Sequence, residues 1–185
     1  MNTKSTFKAL VRALVMLITV AILALVAYAA TNTAAAKPSA APDHVAKNLT
    51  NFDDLDFNVF TNQKWDELKR SHAADIVVHW PDGRETRGIG PHIEDLKGMF
   101  VYAPDTRIKT HPVKFGSGEW TAVIGVMEGT FTKPMPTPDG KSIPPTGRTF
   151  KLQMATIGRW KHGVMEEEYL FWDNQAFMKQ IGLAQ

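Results

Sequence analysis

The chain has 185 residues, 44% of them apolar, with a formal charge of +2 and no cysteine. That length and composition fit one globular domain. The missing cysteine excludes disulfide staples, thiol chemistry and a cysteine-linked lipid anchor.

Residues 1–29 open with Lys4, Lys8 and Arg12, then run apolar and uncharged from Ala13 to a small-x-small ending, Ala27-Tyr28-Ala29. This pattern predicts a secretory signal cleaved after Ala29, and so a periplasmic or secreted protein. The alternative is an uncleaved membrane anchor over residues 10–30, which would be the one membrane contact. Without residues 1–29 the chain carries 18 Lys and Arg against 19 Asp and Glu, a charge near −1 that offers no electrostatic case for nucleic acid. Residues 30–47, rich in Ala, Thr and Pro, read as a flexible linker. Residues 48–185 are then the folded domain, long enough to bury a core without staples.

From Asn48 to Ala73 the residues Phe52, Leu55, Val59, Phe60, Trp65 and Leu68 recur at helical spacing. They predict two short helices broken near Thr61-Asn62, either of which suits the cap of the second. Asp75–Trp80 predicts a strand ending at the turn Pro81-Asp82-Gly83. A helix follows, with Pro91 at its start and Ile93, Leu96, Met99 and Phe100 on one face. From Arg107 the pattern becomes four strands: Arg107–Gly116, Glu119–Phe131, Arg148–Trp160 and Gly163–Asp173. Gly118 and His162-Gly163 mark tight turns between them, and Asn174–Leu183 is a short helical tail. Helices gathered ahead of an antiparallel meander predict an α+β fold.

Between the second and third of those strands, Gly129–Phe150 holds five of the eleven prolines. It is far longer than an ordinary hairpin connection. Asp139-Gly140 is its turn, and the prolines stiffen both arms. Such an insert either protects edge sequence from other chains or forms a rim over a pocket.

His79, at the end of its strand, is the best acid/base candidate, because imidazole titrates in the useful range. The competing reading is a histidine bonded to a backbone carbonyl or to solvent. Asp75 shares its face of the strand, two positions removed by alternation. Glu166, Glu167 and Glu168 lie within one strand, and alternation sends Glu167 to one face and its two neighbours to the other. At least one carboxylate then keeps apolar company, where its pKa rises. The competing reading is a salt bridge from Glu167 to Arg159 or Lys161. Trp80, Trp120, Trp160, Trp172 and Tyr169 offer large apolar surfaces with polar tips, suited to a pocket or to plain core. His92, His111 and His162 show no metal-ligand spacing, and the chain has no phosphate loop, dinucleotide fingerprint or nucleophile elbow. Neither metal nor cofactor is expected.

The segments "HWPDG", "GTF…DGKSIPPTGRTF", "RWKHGVMEEEYLFWD" and "KQIGL", in this order and spacing, resemble the SnoaL-like polyketide cyclase or ester cyclase family, over Asn51 to Leu183. The resemblance implies a cone-shaped roll of the nuclear transport factor 2 type: N-terminal helices packed on a strongly curved antiparallel sheet, enclosing an apolar cavity. The Pro-rich insert would then lie at the cavity mouth. Family cyclases abstract a carbon-bound proton and polarise a carbonyl. Their acid/base Asp falls where this chain has Thr156, and their His after Gly-Thr falls at Phe131. A threonine hydroxyl is no general base near neutral pH. Catalysis would pass to His79 and to Glu167, which aligns with a family glutamate, in a pocket that includes Trp80, Phe131, Thr156 and Tyr169. Asp173 aligns with an Asp at the start of the C-terminal tail and reads as a helix cap. Three functions are open at this point: an exported enzyme acting on a small hydrophobic carbonyl or polyketide-like molecule, a binding protein without turnover, and a module that pairs as a homodimer through the sheet's outer face.

Overall fold

A computed structural model describes residues 43–185, so the predicted signal or anchor and most of the predicted linker lie outside the described residues. Among the described residues no helix is long and apolar enough to cross a membrane. Helix α1 (Asp43–Asp54) begins before the expected boundary at Asn48, and Val45 in its first turn is buried.

Helix α1 runs into a π-helical stretch, Leu55–Phe60, and then breaks near Thr61-Asn62 as the periodicity predicts. The two polar residues close the first helix rather than cap the second. Thr61 Oγ1 lies 2.7 Å from Asp56 O and accepts from Ile108 N at 2.9 Å, while Asn62 Nδ2 donates to Asn58 O at 2.9 Å. The second helix is a 3₁₀ segment, Trp65–Arg70.

Strand β1 (His72–His79) starts three residues earlier than Asp75. It is followed by β2 (Glu85–Arg87) and helix α2 (Ile89–Tyr102), which begins just ahead of Pro91. The expected strand Arg107–Gly116 is two pieces, β3 (Arg107–Ile108) and β4 (Val113–Ser117), both on one edge of β5 (Trp120–Thr130). In the Pro-rich insert β6 (Met135–Pro136) and β7 (Ser142–Ile143) form a small hairpin of their own. Strands β8 (Thr149–Lys161) and β9 (Val164–Phe171) complete the sheet, and α3 (Asn174–Gln180) follows. His162 and Gly163, with φ of 52° and 84°, make the tight β8–β9 turn. Asp173 caps α3 as expected: its Oδ1 accepts from Ala176 N at 2.8 Å.

The main sheet has the order β2-β1-β9-β8-β5-β3, with β4 also on β5. The antiparallel expectation needs one correction: β1 and β9 are parallel, so the sheet is mixed. The chain leaves β1 through a helix and five other main-sheet strands before β9 returns to lie beside it, which a meander does not allow for.

One face of the sheet carries the core. Val123, Leu152, Trp160, Met165, Leu170, Ile76 and Val78 are buried there against Phe52, Leu55 and Val59, or against Phe60 and Phe100. Each such side chain contributes roughly 1.5–3 kcal/mol by leaving water. The insert covers the second half of this core. Thr132 N and Lys133 N donate to Tyr102 O at the end of α2, and Met135 and Ile143 pack against the cluster that holds Phe131, Phe150 and Phe177. Asp139-Gly140 is its turn, Thr137 Oγ1 donating to Asp139 Oδ1 at 2.5 Å.

Candidate functional site

The residues singled out from the sequence divide between the two faces of the sheet. His79, Glu167 and Tyr169 lie on the outer face, away from the helices. His79 Nε2 is 3.2 Å from Glu167 Oε1, Tyr169 OH donates to the same oxygen at 2.8 Å, and Arg159 Nε donates to Glu167 Oε2 at 3.0 Å. The His79 and Tyr169 rings stack with centroids 4.1 Å apart. The Tyr169 hydroxyl above all, then Arg159 and His79, hold the Glu167 carboxyl below its ordinary range. Glu167 is therefore a firmly ionised, multiply bonded strut, and the salt bridge to Arg159 is present. Asp75 is exposed.

Phe131 and Thr156 are on the inner side. Phe131 is fully buried, edge-on to Tyr102 at 6.0 Å, and fills core rather than lining a space. Thr156 is buried on β8 between Val123 of β5 and Leu170 of β9. The expectation that His79, Phe131 and Thr156 share one pocket is thus corrected, because strand alternation puts His79 on the opposite face.

The inner face instead gathers three residues that no spacing reveals: His72 from β1, His92 from α2 and Glu168 from β9. Glu168 stands opposite Val78 on one side and Gly158 on the other. It is thus the diagonal neighbour of Thr156, and a carboxylate returns to the interior one strand away from the position where the family pattern has one. Glu168 Oε2 is 3.7 Å from His72 Nε2 and 3.4 Å from His92 Nε2. All three side chains are buried, and one donor atom from each falls within 4.8 Å of the others. Burial pushes the Glu168 carboxyl up, but the nearby His72 and His92 rings outweigh it and hold the group below its ordinary range. Burial pushes His92 down to about 4, so its ring is neutral at physiological pH.

Asp56 adds a second carboxyl to this interior. It projects from the π-helical turn over Gly125 of β5, where an added Cβ would lie 3.5 Å from Asp56 Oδ2 and 3.3 Å from the Ile108 side chain. Glycine leaves that space. Burial raises the Asp56 carboxyl, with the Glu168 charge adding to the rise, against the opposing bond to His111. His111 bridges two carboxylates, its Nδ1 2.8 Å from Asp53 Oδ1 and its Nε2 2.8 Å from Asp56 Oδ2. Burial disfavours the His111 imidazolium, yet the two carboxylates together raise its pKa. One proton therefore lies between Asp56 and His111, whichever group carries it.

A cleft of about 270 Å³ lies between the β1–β2 turn, α2 and the end of β9, lined by Trp80, Arg84, Met99, Tyr102 and Trp172 among others. Trp80 and Trp172 meet edge to face at 6.4 Å. Arg84 lies 4.8 Å from the Trp80 ring and donates to Asp95 at 3.0 Å, tying the turn to α2. The Trp80 ring is 5.8 Å from that of His92, so the buried cluster stands directly behind this aromatic lip. Of the pocket residues that the family resemblance implies, Trp80 alone lines the cleft, beside Trp172 from the wider set of aromatic candidates. The Pro-rich insert supplies no residue to it, which corrects the expectation of an insert at the mouth. A shallower depression of about 550 Å³ along α1, beside Asn51, Asp54 and Arg70, is open surface.

His72, Glu168 and Asp56 were missed for identifiable reasons. The sequence pattern starts the strand at Asp75 and places His72 at the end of the helical stretch Asn48–Ala73, whereas β1 begins at His72. Glu168 lost to Glu167 on family alignment. Asp56 carries no mark in the sequence that sets it apart from other polar positions of the helical stretch. The one available signal is the apolar company that alternation assigns to Glu168, namely Val164 and Leu170.

Solved structures share this arrangement of elements. IdmH from Streptomyces antibioticus, a proposed polyketide cyclase, is 22% identical, with a TM-score of 0.63 over 73% of this chain and 98% of its own. A proposed SnoaL-like polyketide cyclase from Jannaschia sp. CCS1 is 16% identical, with a TM-score of 0.68 over 80% of this chain and 99% of its own. AclR from Streptomyces galilaeus, a proposed hydroxylase, is 12% identical, with a TM-score of 0.62 over 76% and 88%. At these identities the likeness establishes the fold, an α+β roll of the nuclear transport factor 2 type with a curved mixed sheet. No curated protein sequence matches the chain. The SnoaL-like polyketide cyclase profile matches residues 55–181, the whole span from the π-helical turn that carries Asp56 to the end of α3, and the chain belongs to that family.

Proposed function

We propose that the protein is an acid/base enzyme for a small hydrophobic carbonyl compound, polyketide-like in character, which enters between Trp80 and Trp172 and reacts in front of the buried cluster. One observation carries this reading: two buried carboxyls in one interior are pushed in opposite directions, Asp56 up and Glu168 down. Environments that separate two such groups assign acid/base work to one and fixed charge to the other. Asp56, sharing its proton with His111, takes a proton from the carbon next to the carbonyl and returns it. Neutral His92, donating one ring N–H, orients and polarises the oxygen, with Glu168 the fixed charge behind it. Enolisation of this kind underlies cyclisation and isomerisation alike. His79 and Glu167 have no part in it.

The test is hydrogen–deuterium exchange next to the carbonyl of a panel of cyclic and aromatic diketones in D₂O, followed by NMR. Wild-type protein accelerates exchange of at least one member, and Asp56→Asn lowers that rate by about 100-fold or more. Equal rates in the two proteins overturn the reading.

The outer face supports a second proposal, that the domain works as a homodimer. Val113, Ile124, Ala155 and Phe171 form one apolar row across β4, β5, β8 and β9, and Phe115, Ala122 and Ile157 head the next. Phe115 is 64% exposed and Phe171 50%, and apolar side chains exposed side by side in this way mark an interaction surface. Sedimentation of the chain with Phe115→Asp checks it: the wild type sediments as a dimer and the variant as a monomer. Export rests on residues 1–29 alone, and N-terminal sequencing of protein from the periplasm, beginning at Ala30, is its test.

A further inference from the structure

Three buried side-chain atoms among the described residues lack a hydrogen-bond partner, and all belong to one cluster: His72 Nε2, His92 Nδ1 and Glu168 Oε2. Buried polar atoms are otherwise satisfied in folded proteins, so a concentration of orphans at one point calls for a missing occupant.

The bonding around His72 says what kind of occupant. Ser71 Oγ donates its only hydrogen to Leu68 O at 3.0 Å. Toward His72 Nδ1, 2.8 Å away, that oxygen can only accept. The ring proton is therefore on Nδ1, and Nε2 presents a lone pair. It points at Glu168 Oε2 across 3.7 Å, where a carboxylate oxygen presents another lone pair. Two acceptors facing each other in a buried site repel unless a positive centre lies between them. A carbonyl-anchored hydroxyl fixing the tautomer of a histidine from behind is also how metal-binding histidines are held.

We propose that His72, His92 and Glu168 bind one divalent first-row transition ion of the zinc or iron(II) type. Two imidazoles and one carboxylate are a donor set that suits such ions and leaves coordination positions open. Donor atoms on one tetrahedral ion of this size stand about 3.4 Å apart. The distances from Glu168 Oε2, 3.4 Å to His92 Nε2 and 3.7 Å to His72 Nε2, need little closure. No bond fixes the His92 tautomer, so either of its nitrogens is available after a ring flip. The three ligands come from β1, α2 and β9, which is why sequence spacing gave no warning of a metal site. The inference goes beyond the acid/base reading and does not require turnover. With an ion in place, the polarising charge in front of Asp56 is the metal, and Asp56 remains the group that moves the proton.

The test uses the full chain stripped with a chelator, then titrated with cobalt(II) chloride and zinc chloride. The expected result is one ion per chain with micromolar or tighter affinity, visible cobalt absorption between 500 and 650 nm typical of four or five ligands, and a higher unfolding temperature with zinc, as order-of-magnitude expectations for a three-ligand site. His72→Gln and Glu168→Gln each weaken zinc at least tenfold, while His111→Gln, which alters the other buried imidazole, leaves it unchanged. Binding that ignores the first two variants is surface binding and overturns the proposal, as does the absence of one-to-one binding. Should those variants misfold, ¹⁵N NMR of the wild type decides. A lone-pair Nε2 on His72 that shifts on adding zinc supports the site, and a His72 ring protonated on both nitrogens, unmoved by zinc, overturns it. Asp56→Asn separates the two proposals, because it abolishes exchange and leaves zinc affinity intact.

Discussion

Glu167 and Glu168 are consecutive and chemically identical, yet their situations are opposite. Glu167 faces outward with His79, Tyr169 and Arg159 bonded to it, partly open to water. Glu168 faces inward, buried, with one oxygen that bonds to nothing and two imidazoles pointed at it. The same division runs along the strand, where Leu170 is buried and Phe171 is half exposed. The side of the sheet, rather than residue type, allots the role: the outer residue is already satisfied, and the inner one retains unused binding capacity.

Substitutions in adjacent pairs break or sharpen this comparison. The largest effect is expected at Glu168. Glu168→Ala empties a buried site beside two imidazole rings and costs about 2–5 kcal/mol in urea unfolding. Glu167→Ala removes bonds that water screens and costs below about 1 kcal/mol. Equal losses would mean that the two faces are energetically alike. Next, Leu170→Ala opens a cavity in the core and costs about 2–4 kcal/mol. Its neighbour Phe171→Ala changes monomer stability by less than about 0.5 kcal/mol, because that side chain is not buried in the monomer. The dimer proposal sharpens the point: Phe171→Asp should shift sedimentation toward the monomer with the circular dichroism spectrum unchanged.

The third effect is a pH slope. His111 has a raised pKa in the folded state. Its contribution to stability is therefore complete below its unfolded value of about 6.5 and is lost as pH rises through the raised folded value. The groups facing it are Asp53 and Asp56, with Lys114 paired to Asp53. Asp56 is raised as well, so its own loss starts lower, as pH climbs out of the carboxylate range. Urea unfolding from pH 6 to 9 should show wild-type stability falling with pH and His111→Gln nearly flat. An unchanged slope in the variant would remove His111 from the account.

Much of the fold is legible in the sequence. Helical spacing of Phe52, Leu55, Val59 and Leu68 locates the first helices, and Asp139-Gly140 and His162-Gly163 locate their turns. Local chemistry decides these features. What stays hidden depends on long-range pairing. The parallel docking of β9 on β1 has no local mark, so the sheet reads as a meander. Where β9 pairs with Arg159 and Trp160 of β8 the register shifts, leaving Glu166 of β9 as a bulge. Simple alternation across it would put Met165 outside, whereas it is fully buried. The family-guided choice of Glu167 over Glu168 then selects the wrong side of the strand for an interior site. Phe131 and Thr156 are correctly inside, but only packing reveals that they are wall and not surface.

Strand β9 lies between β1 and β8 in the finished sheet and is the last strand of the chain to be made. Until it arrives, β1 has no partner on that side and β8 ends the sheet with an open edge. A growing chain stalled before Val164 would thus display two unsatisfied edges of the kind that invite pairing with other molecules. The late strand closes both at once and carries Glu168 inside as it does so. Assembly of the interior and protection of the chain are consequently one event, and a slow one, since it joins residues almost a hundred positions apart.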